Sequence, residues 1–259
     1  MPARDRVAAL LSGLGAGVAG GLLGVGGGIV LVPILSGRFR LSQHVAHGTS
    51  LAVIGATALT SLAIYGAHAS VAWATAIWVA LASVFTVRIG TSLARRLSSA
   101  ALTRAFSVFL VVVGVRLLWK PPDATAFMVH GPAVTVALEL GIGALIGLVA
   151  GLMGVGGGIL AVPAFVMLLG MSQRVAQGTS LAVILATAPV GTLENSRHGQ
   201  IAWRLVPLLA IGAAAGGPLA SWFAHLVPQT LLARVFAVFL MVSAGLSWRK
   251  PARGPARST

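Results

Sequence analysis

A thirteen-residue element of this chain occurs twice. GLLGVGGGIVLVP at positions 21–33 returns as GLMGVGGGILAVP at positions 151–163, with ten of the thirteen residues identical. Each copy interrupts a long apolar stretch with a run of glycines. Glycine is about 1 kcal/mol less favourable than alanine inside a helix, so we expect each run to break a helix. The chain is therefore expected to contain one broken apolar element in each of two structural repeats.

The offset of 130 positions holds along most of the sequence. SQHVAHGTSLAVI at 42–54 matches SQRVAQGTSLAVI at 172–184 in eleven of thirteen positions, and LTRAFSVFL at 102–110 matches LARVFAVFL at 232–240 in six of nine. We predict a first transmembrane repeat at 1–120, a linker at 121–131, a second transmembrane repeat at 132–250 and a basic C-terminal tail at 251–259.

Composition decides the class of protein. Hydrophobic residues make up 57% of the chain, charged residues 8%, and mean hydropathy is +0.96. Runs of about 20 apolar residues, enough to cross ~30 Å of hydrocarbon, recur throughout. We predict an all-α polytopic membrane protein, and we interpret the apolar stretch after MPARDR as a retained first helix, not a cleaved signal peptide.

The net charge of +14 does not indicate a nucleic-acid partner. The basic residues lie singly or in pairs at the ends of apolar runs, where they orient helices and contact lipid headgroups. We therefore expect a lipid bilayer as the surroundings and no nucleic acid.

Each half is predicted to be a broken helix or helical hairpin followed by three transmembrane helices. The predicted segments are 7–36, 43–65, 70–93 and 101–119 in the first half, and 132–169, 173–195, 201–224 and 229–248 in the second. If the broken segment crosses once, ten basic residues lie on the N-terminal side and seven on the other. If it folds back, the balance is thirteen against four, which the positive-inside rule favours. Folding back makes the halves inverted repeats, with both termini cytoplasmic.

The glycine runs and a second repeated motif, Gly-Thr-Ser, are the candidate substrate-binding elements. A helix that restarts after the glycines begins with unpaired amides and a positive dipole end, which suit an anion. Close packing through small residues is the alternative explanation of the glycines, and back-bonding to the helix that of the hydroxyls. The candidates are, in the first half, Gly26, Gly27, Gly28, Pro33, His47, Thr49 and Ser50, and in the second half Gly156, Gly157, Gly158, Pro163, Gln177, Thr179 and Ser180.

Ionisable residues inside membrane segments are costly and are candidates for coupling. Glu194 is the candidate carrier of a coupled proton or cation, and Arg88 is a candidate for attracting an anion. The alternative for Arg88 is a side chain that reaches back to the membrane surface. For Glu139 the alternative is an interfacial carboxylate. No spacing indicates a metal site, a cofactor or a nucleophile–base pair, so we expect neither an enzyme nor a cofactor.

The duplicated pattern G-x-x-G-V-G-G-G-x-x-x-V-P, followed each time by G-T-S, resembles the sulfite exporter TauE/SafE family of bacterial and archaeal membrane permeases. The resemblance covers both halves. It implies outward movement of a sulfur-containing anion, such as sulfite or an organosulfonate, across the bacterial cytoplasmic (inner) membrane. On that pattern the substrate-binding positions fall at 24–28 with Pro33, Thr49 and Ser50, and at 154–158 with Pro163, Thr179 and Ser180.

The leading hypothesis is a secondary transporter that holds a small sulfur oxyanion or sulfonate between the two breaks and works by alternating access. An anion channel and a membrane subunit that needs an unknown partner are the alternatives. The sequence has no lysine in its glycine runs and thus no Walker-type nucleotide loop. It leaves the oligomeric state open.

Overall fold

The structure, a computed structural model, describes residues 3–94, most of 107–118, 132–153 and 156–248, and the regular secondary structure of these residues is helical. Six of the described helices are long and apolar enough to cross a membrane. The helices are α1 Ala3–Leu23, α2 Gly28–Gly37, α3 Gln43–Ala67, α4 Trp73–Ala94, α5 Pro132–Met153, α6 Gly158–Leu168, α7 Gln173–Arg197, α8 Val206–Leu226 and α9 Gln229–Trp248.

These helices confirm the predicted all-helical membrane fold. α8 begins five residues later than the predicted 201, because a turn from Ala202 to Leu205 precedes it and the Ala202 amide is bound elsewhere. Of the segment predicted near 101–119, helical residues are described within 107–118, and a Cβ at Gly114 would contact Met241 on α9. The predicted linker 121–131 and tail 251–259 lie outside the described residues.

The first broken segment folds back on itself. Arg38, just after α2, lies 3.7 Å from the Asp5 carboxylate in the first turn of α1. At the other end of α2, a Cβ on Gly27 would overlap the backbone of Ala16 in the middle of α1. The 21 residues of α1 span about 32 Å and the ten of α2 about 15 Å. α2 is thus a half-length return helix, as the distribution of positive charge predicts.

The second broken segment has the same geometry. α5 has 22 residues and α6 has 11. α6 starts beside α5, where a Cβ on Gly157 would lie 2.7 Å from Ile146 and 3.2 Å from Ala150. Each half therefore contributes one full helix and one half-length helix to a hairpin.

Two helix pairs are held together by backbone contacts at glycines. α1 packs on α8 so closely that a Cβ on Gly17 would overlap the carbonyl of Ala213. α5 packs on α4 in the same way, and a Cβ on Gly151 would overlap the carbonyl of Val87. Small residues allow this approach where lipid supplies no hydrophobic drive for helix association. Each pair joins the first helix of one half to a later helix of the other half.

α3 and α7, which occupy equivalent places in the two repeats, form the centre and run antiparallel. The turn after α3 lies on the start of α7, where the Ala72 amide donates to Thr179 Oγ1 at 2.9 Å. The turn after α7 lies on the start of α3, where the Ala202 amide donates to Thr49 Oγ1 at the same distance. The paired helices α1–α8 and α4–α5 flank this central pair.

Candidate functional site

The two glycine breaks meet at the middle of the central helix pair. A Cβ on Gly158 would lie 2.7 Å from Val25 Cα and 3.0 Å from the Gly24 carbonyl oxygen, so the second break touches the first. Gly26 and Gly156 both face the side chains of Ile54 on α3 and Ile184 on α7. The structure thus brings together two elements that lie 130 residues apart in the sequence.

Glycine is required at the breaks by backbone conformation. Gly26 and Gly27 have φ angles of 72° and 84°, and Gly156 and Gly157 have φ angles of 76° and 73°. L-residues with a side chain rarely adopt this left-handed region. The conformation reverses the chain within a few residues, which is what a fold-back hairpin needs. Gly154 lies outside the described residues.

Both half-length helices begin without a side-chain cap. The residue before each helix is a left-handed glycine, Gly27 or Gly157, and no side chain of the described residues caps either start. Each of these glycines accepts the hydrogen bonds of the first closed turn through its carbonyl. The leading amides and the positive ends of the two helix dipoles therefore converge on one place, a chemistry suited to binding an anion.

Two isoleucines fill the space between the breaks in this conformation. Ile184 Cδ1 would lie 2.7 Å from a Cβ on Gly158, and Ile54 Cδ1 would overlap one on Gly156. Both side chains are fully buried, with about 1% or less of their surface exposed. They are equivalent residues in the repeated SLAVI, and the sequence alone did not single them out. Anion access to the helix starts requires these side chains to move.

The hydroxyls of the Gly-Thr-Ser motifs have two different environments. Thr49 and Thr179 accept the amides of the opposite turns, and Thr179 also donates to the Val175 carbonyl at 2.6 Å, so these two threonines tie turns to helices. Ser180 donates to the Gly24 carbonyl at 2.8 Å and thus contacts the first break. Ser50 Oγ is fully buried and has no hydrogen-bond partner in the described part of the chain.

Gln177 adjoins the first break, and the structure pairs it with a residue that sequence reasoning missed. Its side chain packs where a Cβ on Gly24 would be, and its Oε1 lies 3.0 Å from the hydroxyl of Tyr65. That hydroxyl also lies 3.1 Å from the Gly21 carbonyl. Tyr65 is the only tyrosine of the chain, and its position inside an apolar segment is the sequence signal that could have identified it. His47, the equivalent of Gln177, is half-buried.

The remaining candidates lie away from the breaks. Glu194 lies 4.0 Å from Arg197 and 3.9 Å from His198 at the far end of α7, and ten residues, or about 15 Å of helix, separate it from Ile184. Arg88 is on the exposed side of α4. Pro33 is exposed and Pro163 buried, each more than a turn into its half-length helix.

Glu139 is buried between two helices. The alternative interpretation of this residue from the sequence was an interfacial carboxylate. Glu139 is 6% exposed at the interface between α4 and α5, and the Thr75 hydroxyl donates to its Oε1 at 2.7 Å. The positions equivalent to Glu139 and Thr75 are Ala9 on α1 and Leu205 just before α8, two apolar residues that are buried in one cluster.

The comparisons with known proteins match one family model and several relatives named as probable membrane transporter proteins. The family model described as "Sulfite exporter TauE/SafE" matches residues 9–247. A "Probable membrane transporter protein" of Xylella fastidiosa (strain 9a5c) is 28% identical over 238 residues, which cover 90% of this chain and 91% of that protein. The "Probable membrane transporter protein YunE" of Bacillus subtilis (strain 168) is 29% identical, over 80% and 84% of the two chains. No solved structure matches.

Proposed function

The chain belongs to the sulfite exporter TauE/SafE family, and from this premise we propose that it is a secondary transporter that exports a small sulfur-containing anion, sulfite or an organosulfonate, across the bacterial cytoplasmic membrane. A role as a membrane transporter is supported by the family and by the names of the relatives from Xylella and Bacillus. The observation that carries the anionic substrate is the convergence of two uncapped helix starts, those of α2 and α6, on one buried place.

Substrate binding is assigned to the backbone amides at the starts of α2 and α6. An oxyanion has several oxygens, so it accepts hydrogen bonds from both helix starts at once. Two further donors are the unpartnered Nε2 of Gln177, which packs against Gly24, and the unpartnered hydroxyl of Ser50, one helical turn before Ile54 on α3. Thr49 and Thr179 hold turns in this assignment and do not contact the anion.

The glycine-locked helix pairs supply the moving parts for alternating access. α1 with α2 and α8 forms one unit, and α4 with α5 and α6 forms the other, because the backbone contacts within each pair leave no room for sliding. The two units lie on either side of α3 and α7. Rocking of one unit against the central pair draws Ile54 or Ile184 away from the breaks and opens the site to one side at a time.

The proposed orientation places both termini in the cytoplasm and makes the halves inverted repeats. Antiparallel packing of α3 and α7 supports it, since these helices are equivalent in sequence. The equivalent residues Trp73, at the start of α4, and Trp203, in the turn before α8, also support it. They are 55% and 53% exposed on opposite ends of the bundle, where membrane interfaces favour tryptophan.

The membrane potential favours this direction of transport. An anion that leaves an inside-negative cell gains about 2.3 kcal/mol per charge per 100 mV, so export needs no coupled ion. A coupled proton or cation remains the alternative, with Glu194 as its candidate carrier. Flux driven by an imposed potential alone, at equal pH and cation concentration on both sides, would indicate export without a coupled ion. Its absence would indicate coupling.

The direct test is flux through the purified protein in liposomes, with sulfite, sulfate, thiosulfate, sulfoacetate and taurine as the panel. We expect saturable flux of sulfite or a sulfonate that is accelerated by the same anion on the opposite side. Unitary currents without such acceleration would identify a channel, and no flux of any panel anion would reject the proposed substrate class.

The variant that tests the site is Gly27→Ala, with Gly37→Ala as its matched control. Gly27 has a left-handed backbone and a Cβ there would overlap Ala16, whereas a Cβ on Gly37, at the far end of the same helix, meets nothing within 4 Å. We expect Gly27→Ala to lose flux and Gly37→Ala to keep it. Ser50→Ala removes only an unpartnered hydroxyl, so we expect it to fold normally and to bind the transported anion several-fold more weakly. Unchanged flux in Gly27→Ala together with unchanged half-saturating anion concentration in Ser50→Ala would reject the site.

A further inference from the structure

A row of buried hydroxyl groups runs from the glycine breaks to one end of the bundle. Thr57, Ser61 and Tyr65 lie on one face of α3 at helical spacing, and all three side chains are fully buried. They face α1 and α8 at glycines and a serine, chiefly Gly21, Gly217 and Ser221. These six residues are called the hydroxyl seam below.

We propose that the hydroxyl seam is the outward half of the anion pathway, which opens when the α1–α8 pair moves away from α3. The proposal rests on the proposed function, because it takes the glycine breaks as the place where the anion starts. It specifies the route of the anion, the side of the membrane to which the route leads and the residues along it. None of these follows from the sequence motif or from the breaks alone.

The unpartnered hydroxyls of Thr57 and Ser61 are the first evidence. Neither oxygen has a hydrogen-bond partner among the described residues, although both are inaccessible to solvent. A serine or threonine in a helix ordinarily bonds back to the preceding turn, as Thr60 does to Ala56 at 3.1 Å. A buried hydroxyl without a partner costs about 1–3 kcal/mol, so a function that uses these donors accounts for them.

The equivalent residue of the other repeat gives a matched comparison. Thr187 occupies on α7 the place that Thr57 occupies on α3, and its hydroxyl bonds back to the Val183 carbonyl at 3.0 Å. The counterparts of Ser61 and Gly217 are Gly191 and Val87, and the Val87 side chain lies 3.6 Å from a Cβ on Gly191. The interface of α7 with α4 thus has an apolar contact where that of α3 with α8 has Ser61, whereas Tyr65 and Ser221 have the buried polar counterparts Asn195 and Thr91. The two unpartnered hydroxyls therefore belong to one of the two equivalent interfaces.

The contacts of the seam are continuous from the first break outward. A Cβ on Gly20 would lie 2.6 Å from Gly27 N and 2.9 Å from the Thr57 methyl group, which places Thr57 next to the break. A Cβ on Gly217 would lie 2.6 Å from Ser61 Oγ, one turn further along α3. One turn beyond that, the Gly21 carbonyl accepts from Tyr65 at 3.1 Å and from Ser221 at 3.3 Å.

The end of the seam carries two stacked histidine rings and one arginine. His225 stacks on His68 with ring centroids 4.1 Å apart, lies 4.8 Å from the Tyr65 ring, and has Nε2 3.3 Å from Ser70 Oγ. The Arg174 guanidinium, from the first turn of α7, donates to the last carbonyls of α8 at Ala224 and Val227. A positive group at a pathway mouth raises the local anion concentration. In the proposed orientation this mouth faces out of the cell.

The absence of cysteine from the sequence allows a clean accessibility test. Single variants Ser61→Cys and Thr57→Cys are treated in right-side-out vesicles with sulfonatoethyl methanethiosulfonate, an impermeant anionic reagent that is itself a sulfonate. The controls are Thr187→Cys, the matched position on α7, and Leu59→Cys, which is 59% exposed on the outer face of α3 and faces lipid.

We expect Ser61→Cys and Thr57→Cys to react about tenfold faster than either control. We also expect the anionic reagent to react with Ser61→Cys faster than the trimethylammonium-ethyl analogue does, after correction for their rates with a free thiol. Equal rates at Ser61→Cys and Leu59→Cys, or a preference for the cationic reagent, would overturn the seam.

Cysteine labelling tests the seam and anion flux tests the proposed function, so either proposal can fail without the other. Saturable sulfite flux with unreactive Ser61→Cys and Thr57→Cys would keep the transporter and reject the seam. Fast labelling of both cysteines with no flux of any panel anion would keep the seam and reject the proposed substrates.

Discussion

At the scale of single residues, Glu139 shows how one of two equivalent interfaces can carry a polar pair where the other is apolar. Its carboxylate is buried at the interface between α4 and α5 and is hydrogen-bonded to Thr75. The equivalent interface, between α1 and α8, has Ala9 and Leu205 at these positions. The fold therefore tolerates an apolar pair at this place, and Glu139 carries a desolvation cost that the apolar pair avoids.

This asymmetry predicts a non-additive effect of two substitutions on stability. Thr75→Leu alone leaves the Glu139 carboxylate buried without its donor, at a cost of about 1–3 kcal/mol. The double variant Thr75→Leu/Glu139→Ala copies the apolar pair Ala9 and Leu205, and we expect it to unfold at a higher temperature than Thr75→Leu in the same detergent. If the double variant is the less stable of the two, Glu139 has favourable contacts beyond Thr75.

How well the sequence predicts the role of a residue depends on whether that role is set by the residue itself or by contacts with distant parts of the chain. The breaks at the glycine runs were predictable, because the conformation of Gly27 and Gly157 depends on their own lack of a side chain. The hydroxyl partners were not, since Thr49 and Thr179 bind amides more than 100 positions away that only the packing of α3 on α7 brings near. The Tyr65–Gln177 contact joins two helices in the same way.

At the scale of helices, the fold-back of the broken segments could be predicted from charge alone. Basic side chains after α2, such as Arg38, belong on the N-terminal side only if the segment returns, and Arg38 lies beside Asp5. The pairing of α1 with α8 was not predictable in this way, because many of the helices contain glycines. Two helices approach closely only where the glycines of one lie opposite backbone carbonyls of the other.

The glycine lock between α1 and α8 predicts opposite outcomes for two neighbouring glycines. A Cβ on Gly17 would overlap the Ala213 carbonyl, whereas one on Gly15 meets nothing within 4 Å. We expect Gly17→Val to destabilise the protein by about 1–3 kcal/mol through overpacking and Gly15→Val to change its stability little. Thermal unfolding in detergent measures both, and equal effects would mean that helix propensity, not contact, sets the cost.

At the scale of the whole molecule, the two repeats form one body through exchange of partners. The first helix of each half packs on a helix of the other half, and α3 and α7 fill the centre. The repeated sequence predicted two similar halves with the two breaks facing one substrate, but not that Ile54 and Ile184 would lie between the breaks. That arrangement depends on contacts across the whole bundle, which a local motif does not encode.

The inverted orientation predicts that equivalent residues label from opposite sides of the membrane. Ala69 and Gly199 occupy equivalent turns after α3 and α7, both exposed and with similar φ angles of 52° and 66°. A cysteine fits either turn, because Ala69 already carries a Cβ in this conformation and Gly199 has nothing within 4 Å. With an impermeant maleimide outside intact cells, we expect Ala69→Cys to react and Gly199→Cys to react only after the membrane is permeabilised. Equal reaction at both turns in intact cells would make the repeats parallel, a result that the antiparallel packing of α3 on α7 argues against.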